Sequence, residues 1–349
     1  MAYFINGIAV QITKTGNFLP LCKARILELS IRRNSKHIWM RCALIAAIAV
    51  SMLGSGIALA GSGDGPRSFP LLPKDINLLT VYALVQKGDQ LLDPGQTIPN
   101  ADIDAYIGIL QYTRTFSLYG HLGAAFAAVP YANIKGSVPL GGSKGTVSAS
   151  DTGFGGIIAG GVIGLVGSPA LSGKEFAQYD PGFQLGLVGK AFLPTGSYDS
   201  DKTISVGSNR LAGQLVLPVT YSIGSSMIDP NLTTFEILPS VTIFEDNTDP
   251  SGGADTTGQD PLFILESHVT RNLTKTVWAS FGGIYNYGGE TSTDGVWNND
   301  RRESLGLGAS VIFAASSSIS IKVSYGETVW RNDDGMDGKL LRIITTYVF

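Results

Sequence analysis

Chemistry has few places to reside in this chain. Beyond residue 60 there are two histidines, His121 and His268, which leaves little room for acid–base schemes built on imidazole. His268 sits in LFILESHVTRN (262–272), where apolar and polar residues alternate. In extended conformation alternate side chains share a face, so Glu266, His268 and Thr270 point one way and Ser267 the other. A serine nucleophile needs its base within hydrogen-bond reach, and strand geometry holds Ser267 away from His268. The pair Glu266 and His268 therefore reads as an acid and a base satisfying each other inside the fold, and no catalytic residue is expected. Elsewhere the same kind of position carries Lys190, Arg210, Gln214, Glu236, Asp246, Lys322 and Arg342. Ionisable groups pointed into a barrel are either paired fillers of the lumen or the lining of a solute path, and the sequence leaves both open.

Other motifs carry less. TGFGGIIAGGVIGLVG (152–167) has dinucleotide-type glycine spacing but no following helix pattern, and GGSKGT (141–146) lacks the spacing of a phosphate loop. The acidic stretches NNDRRE (298–303) and RNDDGMDGK (331–339) do not fit a twelve-residue calcium loop and read as solvated surface. No metal and no cofactor is expected.

What must position these residues is a series of strands. The 349 residues include 44 glycines and only 15% charged residues, well away from an ordinary soluble enzyme. Twelve segments alternate with period two: 76–86, 101–114, 119–132, 153–166, 182–195, 209–222, 233–246, 260–272, 275–288, 302–314, 317–330 and 338–349. Each is longer than a usual globular strand and suits a tilted bilayer crossing. Short turns at FSLY (116–119), 273–274 and 315–316 follow even-numbered segments, whereas long polar tracts at 133–152, 196–208, 247–259 and 288–300 follow odd-numbered ones. That asymmetry marks transmembrane barrels. The connections 167–180 and 223–231 break it, being too long for tight turns.

The faces predict an all-β, transmembrane, up-and-down antiparallel β-barrel of about 12 strands. In LLRIITTYVF (340–349), Leu341, Ile343, Thr345, Tyr347 and Phe349 share an uncharged face fit for lipid, and Tyr285, Tyr287 and Tyr325 join Tyr347 and Phe349 as interfacial aromatics. Inward faces are expected to be rich in Gly, Ser and Thr. Closure removes the unpaired edges that a bilayer does not tolerate.

The one long apolar run, CALIAAIAVSMLGSGIALA (42–60), follows Arg32, Arg33, Lys36 and Arg41 and ends in Ala58-Leu59-Ala60, which predicts a cleaved secretory signal; a membrane anchor is the competing reading. Met40 offers a start of translation, so 1–39 is set aside as an extension, 40–60 as signal, 61–75 as an N-terminal segment and 76–349 as the barrel. Cleavage removes both cysteines, Cys22 and Cys42, with seven Lys/Arg and one Glu, leaving 18 basic and 27 acidic residues, about −9 net. Such an acidic surface argues against a nucleic-acid partner.

FLPTGSYDSDKTISVGSNRLAGQLVLPVTYSIG (192–224) resembles a family of outer-membrane transporters named for the meta-cleavage pathway of phenol degradation. The resemblance rests on Pro194-Thr195-Gly196, Tyr198-Asp199 and Asn209-Arg210, helped by AAVPYANIKG (127–136), and extends from about residue 70 to Phe349; Leu211 stands where the family tends to have Trp. It implies passage of aromatic or other hydrophobic small molecules across the outer membrane of a Gram-negative bacterium. The terminal aromatic similarly resembles the signal by which the barrel assembly machinery recognises its clients. The expected partners are thus outer-membrane lipid, that machinery through Phe349, and a small-molecule solute. A channel is the leading expectation, and a non-conducting structural or adhesive barrel the alternative. Finally, GSGDGPRSFPLLPKD (61–75) is too proline-rich for a spanning strand and too apolar to float free. Phe69, Leu71 and Leu72 are expected to enter the lower lumen below Lys190 and Arg342, unless the segment is a loose tether.

Overall fold

The structure, a computed structural model, describes residues 4–5, 8–9, 63–91, 98, 101–139 and 145–349. It divides into two units, Met1–Ala43 and Leu44–Phe349. In the first, Phe4–Ile5 pairs antiparallel with Ile8–Ala9. The expected signal segment 40–60 lies outside the described residues, as does most of the extension 1–39.

The second unit is a closed antiparallel barrel of 12 strands. They are β1 (Asn77–Gly88), β2 (Asp102–Leu118), β3 (His121–Pro139), β4 (Thr146–Phe154 continued by Ile158–Val166), β5 (Phe183–Phe192) and β6 (Ala212–Val216 continued by Val219–Ile223). After them come β7 (Thr233–Phe244), β8 (Leu262–Asn272), β9 (Val277–Gly288), β10 (Arg302–Ala314), β11 (Ile319–Arg331) and β12 (Gly338–Val348). Each pairs with its sequence neighbours, and β12 returns to β1 through Val348↔Leu78 to Gly338↔Gly88, so no edge is left. Two strands are broken, one of them by a proline. β4 is interrupted at Gly155–Ile157, and β6 at Leu217–Pro218, where proline has no N–H for the ladder. Among the described residues no helix is long and apolar enough to cross a membrane; strands do the crossing.

Two of the expected connections are laid out differently. The β2–β3 turn lies at Tyr119-Gly120, later than the centre of FSLY, because both residues take positive φ (50° and 85°), as a two-residue primed hairpin turn requires. The tract 133–152 is mostly not a loop: β3 and β4 continue as a paired ribbon from Tyr131↔Phe154 to Pro139↔Thr146. Its Ser, Thr and Lys residues satisfy a polar strand pair as readily as a loop.

Burial inverts that of a soluble barrel. Outward positions are apolar and exposed: Leu341, Ile343, Tyr347 and Phe349 on β12 and just beyond it, Val323 and Tyr325 on β11, Phe263 and Leu265 on β8. Aromatics align between strands, Tyr221 of β6 standing beside Phe183 of β5 and Phe235 of β7, and the Tyr347 and Phe349 rings stack at 5.5 Å. Inward positions include Thr80, Gln111, Lys190, Glu236, Glu266, Lys322 and Arg342, all buried.

The expectation of inward faces rich in Gly, Ser and Thr holds for one part of the wall and fails for another. On β9 to β11 the inward residues include Ser280, Gly282, Ser304, Gly306, Gly308, Ser310, Ser324 and Gly326, yet on β1 to β3 they include Tyr82, Leu84, Ile103, Ile107, Ile109 and Ile134, packed into one apolar cluster. In β2 both faces are largely apolar, so alternation alone could not tell lipid side from lumen side.

Candidate functional site

The lumen is occupied from one end by residues 63–75. Pro66, Pro70 and Pro73 keep this stretch from forming a strand. Gly63 and Gly65 bend it with φ of +69° and +91°, while Ser68 Oγ donates back to the Asp64 and Gly65 carbonyls at 2.8 and 2.7 Å. Its polar groups are met by the wall. Lys190 Nζ of β5 holds Asp64 Oδ1 at 2.5 Å, with both side chains at most 5% exposed. Glu266 of β8 accepts from the Asp64 and Gly65 amides at 2.7 and 2.6 Å and contacts His268 Nε2 at 2.6 Å. Glu236 of β7 accepts from the Arg67 amide at 2.8 Å. Arg342 of β12 donates to the carbonyls of Gly63 and Asp64, and Lys322 of β11 to that of Pro66 at 3.1 Å. The Arg67 guanidinium donates to Thr270 and Asn272 and lies 4.7 Å from the Trp278 ring centre.

Below this network the segment turns apolar. Phe69 packs on Val188, Val216 and Leu238 with its ring 5.5 Å from Lys190 Nζ, and Leu71 and Leu72 are buried. Here the two anomalous connections find their reason. In the β4–β5 connection the helix α1 (Gly173–Phe176), closed by a Ser172–Glu175 capping box, buries Phe176 against Leu71, Leu72, Leu78 and Leu122, and the β6–β7 connection adds Met227 and Leu232. They are long because they fold under the barrel as an apolar floor. The cap and turn carboxylates are held charged: the Ser172 side chain and amide lower the Glu175 pKa, and the Ser225 amide heads the groups that lower that of Asp229.

Above the network, an outward-facing cavity of about 120 Å³ reaches from Gly65, Pro66, Glu266 and Arg342 up to Gln90 and Met336 along the small-residue wall. The His268 ring lies across Gly282, where a Cβ would fall 2.0 Å from Nδ1, so only glycine leaves room for it.

The outer mouth is narrowed by the β5–β6 connection 193–211, which folds inward and buries Ile204 and Val206 in the apolar cluster of β1 to β4. Asp151 holds it there, accepting from the Val206 amide at 2.9 Å and from Lys202 Nζ at 2.7 Å. Pro194 ends β5, and Thr195 Oγ1 accepts from the Ile157 amide at 2.9 Å. Gly196 and Gly207 meet backbone to backbone, since a Cβ on either would come within 3 Å of the other's chain. Tyr198 Oη donates to the Asp249 carbonyl, Asp199 accepts from the Asp201 amide, and Asn209 donates to Asn247. Arg210 donates to Gln259 Oε1 at 2.7 Å beneath the Phe244 ring. The segment that suggested kinship is a fastening of this loop.

A family model described as "Putative MetA-pathway of phenol degradation" matches residues 89–333, which takes in the inward-folded loop and ten of the barrel's strands in whole. The chain belongs to this family. Among solved structures it is similar to the COG4313 outer membrane channel from Pseudomonas putida F1, at a TM-score of 0.67 and 17% identity over 82% of this chain and 99% of that one. It is also similar, at a TM-score of 0.44 and 12% identity, to the β domain of the Bordetella autotransporter BrkA, covering 79% of this chain and 100% of that one. No curated protein matches the chain.

Of the residues singled out in the sequence, Lys190, Glu236, Glu266, Lys322 and Arg342 converge on the inserted segment, and His268 is joined to it through Glu266. Gln214 is buried at another part of the wall and donates to Thr242 Oγ1 at 3.1 Å, and Arg210 sits at the outer mouth. Asp246 is a correction: β7 ends at Phe244, and the carboxylate lies exposed in the outer connection. Ser267 is exposed on the outer face, away from the inward His268. Sequence reading missed Asp64 and Arg67, two of the charged residues of the inserted segment, although opposite charges on either side of Pro66 were a signal available there. It also missed Ile204 and Val206, the two aliphatic residues within a polar tract.

Proposed function

We propose that the protein is an outer-membrane channel for small aromatic or otherwise hydrophobic solutes, held shut at rest by residues 63–75. The observation that carries this reading is a cavity on the outer-connection side of the lumen that ends on a segment held by hydrogen bonds and ion pairs rather than by continuation of the sheet. A structural barrel needs a filled lumen, but not a cavity above the filling. The family membership and the fold shared with an outer membrane channel support the same reading. The solute meets the cavity first, and the floor of Leu71, Leu72, Phe176, Met227 and Leu232 is what must give way on the periplasmic side. The ionisable groups that looked like a lumen lining act mainly as the clamp on the segment, and the enzyme reading loses its geometry with Ser267 on the lipid side.

The export reading fits this architecture. Gly63 lies inside the barrel, where its carbonyl accepts from Arg342; cleavage after Ala60 leaves only two residues ahead of it. Phe349 is exposed beside Tyr347 at the β12–β1 seam, its carbonyl accepting from the Asn77 amide, which suits recognition of this last strand by the barrel assembly machinery. Planar-bilayer conductance and liposome swelling test the channel reading. Flux of aromatic acids or sugars supports it, and absence of both conductance and flux leaves the structural or adhesive barrel.

A further inference from the structure

Resting on the channel reading, we infer that the outward cavity is a resting-state binding site for an uncharged, hydroxyl-bearing single ring. Four observations point there. The cavity, about 120 Å³, is close in size to an engineered cavity of about 150 Å³ that holds benzene. Asn286 of β9 lines it, is only 3% exposed, and spends its amide nitrogen on Ser304 Oγ at 3.3 Å, while its carbonyl oxygen Oδ1 is buried with no partner. A buried acceptor left unmet costs free energy that a ligand hydroxyl recovers. This asks for a donor, not for an anion.

The charges on the wall give the same answer. Glu266 is taken by the Asp64 and Gly65 amides and by His268, and Arg342 donates to the Gly63 and Asp64 carbonyls. The buried Arg342 guanidinium is thus matched by the buried Glu266 carboxylate, and the cavity offers no surplus positive charge to a carboxylate. Flatness follows from its sides. Ile284, Leu340, Met336 and Pro66 supply apolar surface, while Ser280, Ser310, Ser324 and the bare backbone of Gly306 and Gly308 supply a low wall carrying hydroxyls. An amphipathic ring matches both sides, whereas a polyol would leave the apolar side against water-loving groups.

The test is calorimetric titration of the full-length mature protein in detergent with three probes: benzyl alcohol, benzoate and xylose. Benzyl alcohol is expected to bind measurably, and benzoate and xylose at least tenfold more weakly. Asn286→Leu, which removes the acceptor at similar size, should weaken benzyl alcohol about five- to tenfold, and Asn286→Asp, which keeps an oxygen there, should hold it within about twofold. Heat-modifiable migration on gels verifies that each variant is folded. Benzoate or xylose binding as tightly as benzyl alcohol would overturn the assignment, as would an Asn286→Leu barrel that binds like the parent. Because binding is read without current, its failure in a conducting protein refutes this inference alone, and its success in a barrel that passes nothing even without residues 61–72 refutes the channel reading alone.

Discussion

Lys190→Met is the sharpest perturbation of the clamp. Lys190 Nζ and Asp64 Oδ1 lie 2.5 Å apart with the side chains 0% and 5% exposed, so the substitution strands the Asp64 carboxylate inside the barrel. Removing one partner of a buried pair costs about 3–5 kcal/mol in a dry interior. Asp64 keeps its backbone bonds to Glu266 and Arg342, whose guanidinium stays beside it, so roughly half of that, about 2 kcal/mol, is the expected loss. Because the barrel closes on itself through β12 and β1, the loss falls on docking of residues 63–75 and not on the sheet. At about 1.4 kcal/mol per tenfold, the undocked population rises about 30-fold. Single-channel recording in planar bilayers reads this as a rise in open probability, with the conductance of each opening unchanged. The double variant Asp64→Asn/Lys190→Met removes both charges and should return open probability to within a few-fold of the parent. Equal open probabilities in parent and Lys190→Met, in barrels with normal heat-modifiable migration, would refute the reasoning.

Three further outcomes are expected. Asp151→Asn should free the 193–211 loop, since Asp151 holds both Lys202 and the Val206 amide, and limited proteolysis should cut within 196–208 about tenfold faster; an unchanged rate would show that the Ile204 and Val206 packing holds the loop by itself. Burial raises Asp89, in the outer connection after β1, to about 6, above the usual value near 4. The folded state therefore binds a proton that the unfolded state releases, so this stability is present below about pH 4 and is lost as pH rises through 6, by about 1 kcal/mol after allowance for partial exposure. Hydrogen exchange at the Asp337 amide, which donates to Asp89 at 3.0 Å, should show that extra loosening in the parent and not in Asp89→Asn. Mass spectrometry of protein taken from outer membranes should find Gly61 as the first residue, and an intact Cys42 would restore the anchor reading.

Much of the barrel was legible because dyad alternation and loop asymmetry are local signals. Each of the 12 expected segments overlaps a strand, and the face of β12 that carries Leu341, Ile343, Tyr347 and Phe349 points outward as its lack of charge requires. What could not be read was long-range. Nothing in ILQYTRT (109–115) says which side of β2 faces lipid when Ile109 turns inward and Leu110 outward; the neighbours Tyr82 and Ile134 decide it. The same holds for the site. Inward ionisable residues were visible strand by strand, but their common target lies outside the sheet, in Asp64 and the backbone of Gly63 to Arg67, more than 120 residues from Lys190 and over 200 from Glu266. Asp246 was misplaced because strand ends are the least determined part of an alternating pattern.

The most direct measurement is single-channel conductance of the protein lacking residues 61–72, beside the intact chain. Asp64 to Leu72 fill the lumen between the outward cavity and the floor, and the barrel ladder does not include them. Their removal is expected to give a continuous path and a conductance several-fold above that of the intact protein, with heat-modifiable migration preserved. Folded barrels of both kinds that conduct alike would show the segment to be no barrier, and folded barrels without current in either form would contradict a channel altogether.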